Sequence, residues 1–232
     1  FTVDSLDTLV ALLFGTLLGK KVLIIGAGNI GSKIALKLCE RGANVFLFDK
    51  DLEKTKTIIE GLNLVKRSKS LILASENILE GAKDADLVIG CTPGIPIIDK
   101  NIAEAMKEGG KIIDAGNRTV VPEALATARA RGIEVLSLSS LGGYTGMVEN
   151  FLFQREILEK PRMKNLGDFS LITPGTLGGK GDILVDDVEN PIRVFGVCDG
   201  LGTLLSKEEG AKAIKNFVAK TPEISNIEKL YN

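Results

Sequence analysis

The sequence predicts an α/β fold: a doubly wound, mostly parallel sheet followed by a smaller C-terminal α+β extension. Three observations predict it. Short apolar runs rich in β-branched residues alternate with stretches of helical period from residue 21 to about residue 141. The first run ends in a glycine-rich turn that opens a helix, and the second run ends in an acid. Beyond residue 141 the alternation stops and glycine-rich loops separate short strands.

The elements follow in order. Residues 4–18, "DSLDTLVALLFGTLL", read as a helix with Asp4 or Ser5 capping its first amides and Gly19 as its stop. "KVLII" (21–25) is a continuous apolar run, the signature of a strand covered on both faces. The helix "NIGSKIALKLCERG" follows, with Ile30, Ile34 and Leu38 on one face and Gly42 at its end. "NVFLFD" (44–49) is the second strand and "DLEKTKTIIEGL" the next helix. "SLILA" (70–74), "ADLVIGCT" (85–92) and "GKIIDAG" (110–116) are further strands, the last two separated by the helix "DKNIAEAMKEG". "VPEALATARARG" (121–132) is a helix with Pro122 in its first turn, and "IEVLSLS" (133–139) is the sixth strand. Strand–helix alternation implies right-handed parallel crossovers, and six strands suit the order 3-2-1-4-5-6.

"GYTGMVENFLFQREILEK" (143–160) reads as a long helix closed by Pro161. In the stretch after it, "ENP" is a turn joining "DILVDDV" to "IRVFGV". Ser206 and Glu209 form a capping box for a final helix. The division expected is an N-terminal helix over 1–18, a nucleotide-binding domain over 19–141, and a helix plus α+β extension over 142–232 for substrate or oligomerisation.

Composition excludes several classes. Lys plus Arg is 29 and Asp plus Glu is 30, so no global charge draws in nucleic acid or an anionic membrane. The longest greasy stretch, Leu9–Leu18, is about half of what a bilayer span needs and lacks a signal-cleavage pattern. Three cysteines without framework spacing suggest reduced thiols and a cytoplasmic setting, and no Cys/His cluster suggests a metal. There is no histidine, so acid–base work falls to Lys, Asp, Glu, Tyr or Cys, or to another chain. A chain that opens on Phe1 rather than Met leaves room for residues ahead of it.

Gly26, Gly28 and Gly31 form G-x-G-x-x-G between strand and helix, and Asp49 ends the next strand about 20 residues on. Each part has a physical job. Gly26 permits the tight turn, Gly28 lets backbone approach a pyrophosphate, and Gly31 lets helix pack on strand. The amides that begin the helix, around Asn29 and Ile30, then face the phosphates. Asp49 accepts the adenosine ribose hydroxyls and repels a 2′-phosphate, which favours NAD over NADP, while Lys50 beside it softens that choice. The alternative, a bare structural turn with Asp49 as a helix cap, does not account for the whole arrangement. The pattern is that of a Rossmann dinucleotide site.

"CTPG" follows the fourth strand, where Thr92 and Pro93 would line the nicotinamide or ribose. Cys91 reads as a buried thiol rather than a nucleophile, because no base stands near it in sequence. "DAGNR" after the fifth strand, with Gly116, offers Asp114, Asn117 and Arg118 to a carboxylate or carbonyl substrate; a helix cap and a surface ion pair are the competing reading. "PGTLGGKG" (174–181) is one residue short of a phosphate loop and has Gly181 where Ser or Thr belongs, so it is a hairpin loop or a lid carrying Lys180. Tyr144, Lys180 and Asp114 are the candidates for handling a proton.

With those residues in hand, residues 1–160 resemble the cofactor domain of the amino-acid-dehydrogenase-like Rossmann enzymes, among them shikimate dehydrogenase, methylenetetrahydrofolate dehydrogenase and glutamyl-tRNA reductase. The resemblance rests on "TVD" with the helix leading into "GKKVLIIGAGNIG", on "DADLVIGCTPG" and on "GGKIIDAGNR". The helix bearing Gln154 is similar to the returning helix of shikimate dehydrogenase, which offers a glutamine to substrate. The resemblance implies a separate substrate domain ahead of residue 1 that supplies the catalytic lysine or its equivalent, and it gives no counterpart for residues 161–232. The activity expected is NAD-dependent hydride transfer, with NADP the lesser choice, on a small carbonyl, imine or alcohol, by this chain or by the enzyme of which it is the cofactor portion. The other class expected is a regulatory module that binds NAD without turnover. The expected partners are a small-molecule substrate and an upstream domain, with self-association left open.

Overall fold

The protein is seen in a computed structural model that describes residues 1–220 and 225–231. The chain divides into two compact units, Phe1–Met147 and Val148–Asn232.

The first unit opens with α1 (Thr2–Phe14), followed by β1 (Lys21–Ile25), α2 (Asn29–Glu40), β2 (Asn44–Phe48), α3 (Leu52–Val65), β3 (Ile72–Ala74), α4 (Ile78–Ala82) and β4 (Leu87–Gly90). Then come α5 (Lys100–Ala105), β5 (Lys111–Asp114), α6 (Pro122–Ala130) and β6 (Glu134–Ser137). The six strands are all parallel in the order β3-β2-β1-β4-β5-β6, as the alternation predicts. The apolar runs are continuous because both faces are covered. Along β1, Val22 and Ile24 enter the core shared with α1, α2 and α3, while Leu23 and Ile25 enter the one shared with α4, α5 and α6. All four are fully buried, each contributing about 1.5–3 kcal/mol of transfer free energy. β1 at the sheet centre has Val45 to Phe48 on one side and Leu87 to Gly90 on the other.

The first helix departs from the expectation at both ends. It starts at Thr2 after Phe1 with no side-chain cap, so neither Asp4 nor Ser5 is the cap. Asp4 instead sits in the first turn and pairs with Lys37 at 3.0 Å, and the Ser5 hydroxyl accepts the Gly143 amide at 2.9 Å. The helix stops at Gly15 (φ 63°), whose amide bonds Ala11 O, and not at Gly19. Gly15 supplies the left-handed terminating residue four positions earlier, where apolar character alone gives no signal. α4 escapes the sequence pattern because five residues hold too little periodicity.

A clamp fixes the amino ends of the central strands. The Asp86 carboxylate, just ahead of β4, accepts the Lys21 amide at 3.0 Å and the ammonium groups of Lys20 and Lys107, each at 3.1 Å. Burial pushes this carboxyl up, but the Lys21 amide and the Lys107 and Lys20 ammoniums outweigh burial and hold it below the ordinary carboxylate range.

α7 (Leu141–Glu159) runs from the first unit into the second. The second unit has a four-stranded sheet of β7 (Met163–Asn165), β8 (Ser170–Ile172), β9 (Ile183–Val185) and β10 (Val194–Val197), in the order β10-β9-β8-β7. β8 and β9 are parallel; the other two pairs are antiparallel, and the β9–β10 pairing places the "ENP" turn as expected. α8 (Lys207–Lys220) and α9 (Ser225–Tyr231) contribute Ile214 and Ile227 to a core with Phe169, Leu171, Ile183 and Val197. The Phe169 and Phe217 rings stack with centroids 4.2 Å apart. At the start of α8 the Glu209 amide donates to the Ser206 hydroxyl and the Ser206 amide to the Glu209 carboxylate, each at 3.3 Å, as the capping box requires. No helix among the described residues is long and apolar enough to cross a membrane.

Candidate dinucleotide site

The site lies beyond the carboxyl ends of β1, β2, β4 and β5, where strand order reverses and an open α/β sheet leaves a crevice. β1 ends at Ile25 and the chain turns at Gly26, whose amide donates to Phe48 O at 2.7 Å. Gly26 has φ 110°, and a Cβ there would sit 3.0 Å from the Cys91 carbonyl carbon, so both conformation and crowding require glycine. A Cβ on Gly31 would fall 1.8 Å from Gly26 O, which shows how tightly the first turn of α2 is laid on the strand end. Gly28 is different. It occupies the N-cap of α2 in extended conformation, no side chain caps the helix, and a Cβ would meet no atom within 4 Å. Two glycines hold the corner closed; the third faces open space at a helix start that leaves amides for an anion.

Asp49 is drawn into the same corner. One carboxylate oxygen accepts the Ala27 amide at 2.8 Å and the other the Asp51 amide at 3.3 Å. The acid thus ties the end of β2 to the glycine loop and leaves lone pairs over, since a carboxylate offers about four. Asp49 and Lys50 border a cavity of about 300 Å³, walled by Ile25, Gly26 and Phe48 on one side and by Thr92, Pro93, Ile95 and Ile97 on the other. Sequence reasoning missed Ile25, Phe48, Ile95 and Ile97; the signal available was that Ile25 and Phe48 end strands beside the glycine loop and that Ile95 and Ile97 directly follow "CTPG".

The loops after β4 and β5 are joined. Gly94 N donates to Gly116 O at 3.0 Å and Ile97 N to Thr119 O at 2.8 Å. A Cβ on Gly116 would lie 1.9 Å from Thr92 O, so close approach of the two loops by itself requires glycine there. Asp114 accepts both the Thr119 amide (3.1 Å) and the Thr119 hydroxyl (2.8 Å), which bends the chain back after β5. Between them Asn117 (φ 64°) and Arg118 (φ 66°) are consecutive left-handed non-glycine residues, a pairing that costs energy and is concentrated at functional sites. Arg118 is exposed. Cys91 begins the β4 loop; burial, with the Asp114 charge added, pushes its thiol up to about 12, which makes it a poor nucleophile at neutral pH.

The remaining candidates are distributed as follows. Asn29 and Ile30 form the first turn of α2. Tyr144, in α7, is half exposed and packs edge-on against Phe1 with centroids 6.2 Å apart. Lys180 belongs to the second unit, beside Gly200, and Gln154 is exposed on α7. Of the proton-handling candidates, Asp114 is the one on the crevice loops, and both its oxygens are committed to Thr119. Among the described residues no cluster of three or more His, Cys, Asp or Glu could hold a metal.

The chain is similar over part of its length to known proteins. Glutamyl-tRNA reductase of Archaeoglobus fulgidus is 28% identical over 151 residues, covering 63% of this chain and 32% of that protein. The chain therefore spans about a third of the length of that curated relative. Among solved structures, a dipicolinate synthase from Bacillus halodurans is 20% identical with a TM-score of 0.46, over 58% of this chain and 44% of that one. A shikimate dehydrogenase solved in complex with NADP+ is 18% identical with a TM-score of 0.46, over 59% of this chain and 49% of that one. The expected preference for NAD over NADP gains no support, because Asp49 shares the rim of the cavity with the opposite charge of Lys50. The family described as shikimate / quinate 5-dehydrogenase matches residues 8–135, more than half of the chain, and the protein belongs to that family.

Proposed function

We propose that residues 1–147 bind a nicotinamide dinucleotide and serve hydride transfer to or from a small carbonyl, imine or alcohol. The carrying observation is the glycine corner: closed at Gly26 and Gly31, open in front of Gly28, with the helix start uncapped. The residues fit the group. Gly28 gives clearance for a diphosphate, the α2 amides receive its charge, and Asp49 offers its remaining lone pairs to ribose hydroxyls. Thr92 and Pro93 form the far wall, toward the nicotinamide half. The dinucleotide, when bound, supplies the hydride chemistry; the protein supplies clearance, orientation and charge.

Asp114 acts by position. Its grip on Thr119 sets the left-handed pair and presents Arg118 beside the joined β4 and β5 loops, as an anchor for a substrate carboxylate or carbonyl. Asp49 and Lys50 bear opposite charges at the 2′ end of the adenosine ribose, so NAD and NADP both belong in the test.

The test is titration of purified protein with NAD, NADP and their reduced forms, followed by nicotinamide absorbance with a panel of carbonyl, imine and alcohol substrates. Saturable binding that Gly28→Val abolishes is expected. Absence of binding removes the proposal; binding without any absorbance change across the panel removes hydride transfer and keeps the site.

A further inference from the structure

We infer that Asn63 is a guard on the free edge of the six-stranded sheet, and that it keeps out β3 of a second copy of this chain. β3 ends the strand order, so β2 lies on one side of it and no strand lies on the other. The backbone sorts by parity. Leu71 O accepts the Val45 amide at 3.0 Å, and the Ser75 amide donates to Leu47 O at 2.9 Å, so the odd-numbered residues face β2. Ile72 and Ala74 therefore turn their amides and carbonyls to the open side, where an edge is a template for another strand.

At Ile72 that template is already filled. Asn63, in the last turn of α3, donates its side-chain amide to Ile72 O at 2.8 Å, and its side-chain oxygen accepts the Ile72 amide at 3.4 Å. One side chain thus presents both the donor and the acceptor that a neighbouring strand would present. Two positions back on the same side, the Lys66 ammonium donates to Ser70 O. Asparagine is a poor choice inside a helix, and here both of its polar groups meet the strand edge.

The segment needs guarding. Leu71 to Ala74 is an apolar run without charge or proline, and Leu71 and Leu73 are 51% and 41% exposed. Its chemistry selects a second copy, antiparallel. An edge is complementary to itself under a two-fold rotation, and one centred on Leu73 sets Ile72 opposite Ala74, both with backbone groups outward. That rotation also brings exposed Arg67 and Lys69 of each copy toward the Glu76 end of the other, whereas a parallel approach sets positive against positive.

Light scattering on the 232-residue protein over a concentration series tests this, with wild type beside Asn63→Ala. Asn63→Ala is expected to keep a folded circular dichroism spectrum and to gain mass with concentration, roughly doubling the wild-type value for a closed two-fold pair. Adding Leu73→Lys, a charge on the strand itself, is expected to restore the wild-type mass; adding Leu12→Lys, exposed on α1, is not. An Asn63→Ala protein whose mass follows wild type at every concentration would overturn the inference. Loss of the folded spectrum would overturn it too, by making Asn63 a tie the fold needs. So would association that Leu73→Lys leaves intact, which would assign the growth to another surface.

Discussion

Three glycines of one motif do unlike things in the fold. Gly28 has nothing within 4 Å of where a side chain would begin, and Gly31 has a carbonyl oxygen at 1.8 Å. Gly28→Val is therefore expected to leave the thermal unfolding midpoint within a few degrees of wild type while abolishing dinucleotide binding. Gly31→Ala is expected to cost more than about 2 kcal/mol in denaturant unfolding, because backbone must move to admit one methyl group. The same contrast explains what was legible. The motif names the turn, yet only the folded chain tells which glycine faces ligand and which faces protein. Arg118 shows the reverse gap, since nothing in "DAGNR" announces two left-handed residues in a row. Arg118→Gly is expected to raise stability by about 0.5–1 kcal/mol in urea unfolding while weakening capture of a carboxylate substrate, a trade that an idle surface arginine would not show. Cys91→Ser is expected to retain turnover, because a thiol pushed up to about 12 is not working as a nucleophile.

At the scale of elements, the parallel strands are readable because short apolar runs at their centres alternate with helical stretches, and strand order follows from the crossover rule. α1 ends earlier than expected because Gly15 and Gly19 present the same signal and only the positive-φ stop after Phe14 decides between them; it starts earlier because no side chain caps it, and a cap is the only start signal a sequence offers there. β7, of mostly exposed polar residues, has no apolar pattern to find. The Asp86 clamp was likewise unreadable, since its partners Lys20, Lys21 and Lys107 are gathered only by sheet formation. It carries a pH prediction. A carboxyl whose folded-state pKa lies below its ordinary value of 3.8 adds stability above that value and surrenders it as the pH falls through the folded-state value. Asp86→Asn is expected to cost about 1–3 kcal/mol at neutral pH. The gap between the two proteins should stay flat through mildly acidic pH and close below about pH 4, as followed by urea unfolding.

For the molecule as a whole, the expected boundary at residue 141 meets the first residue of α7, whereas the compact units divide at Met147, about two turns inside that helix. The first unit was legible because covered parallel strands and phosphate turns leave strong local patterns. The second was legible only as a small α+β extension with the "ENP" turn and the α8 capping box, because its three- and four-residue strands are too short for periodicity and its parallel pair, β8 and β9, is joined by only ten residues with no helix between.

The lysine-bound carboxylate and the open glycine stand at opposite ends of the same central strand. Fastening and recognition thus occupy separate addresses, and changes at one should add to, rather than entangle with, changes at the other. A lineage could harden this protein against acid or heat at the foot of the sheet while trading ligands freely at its crown.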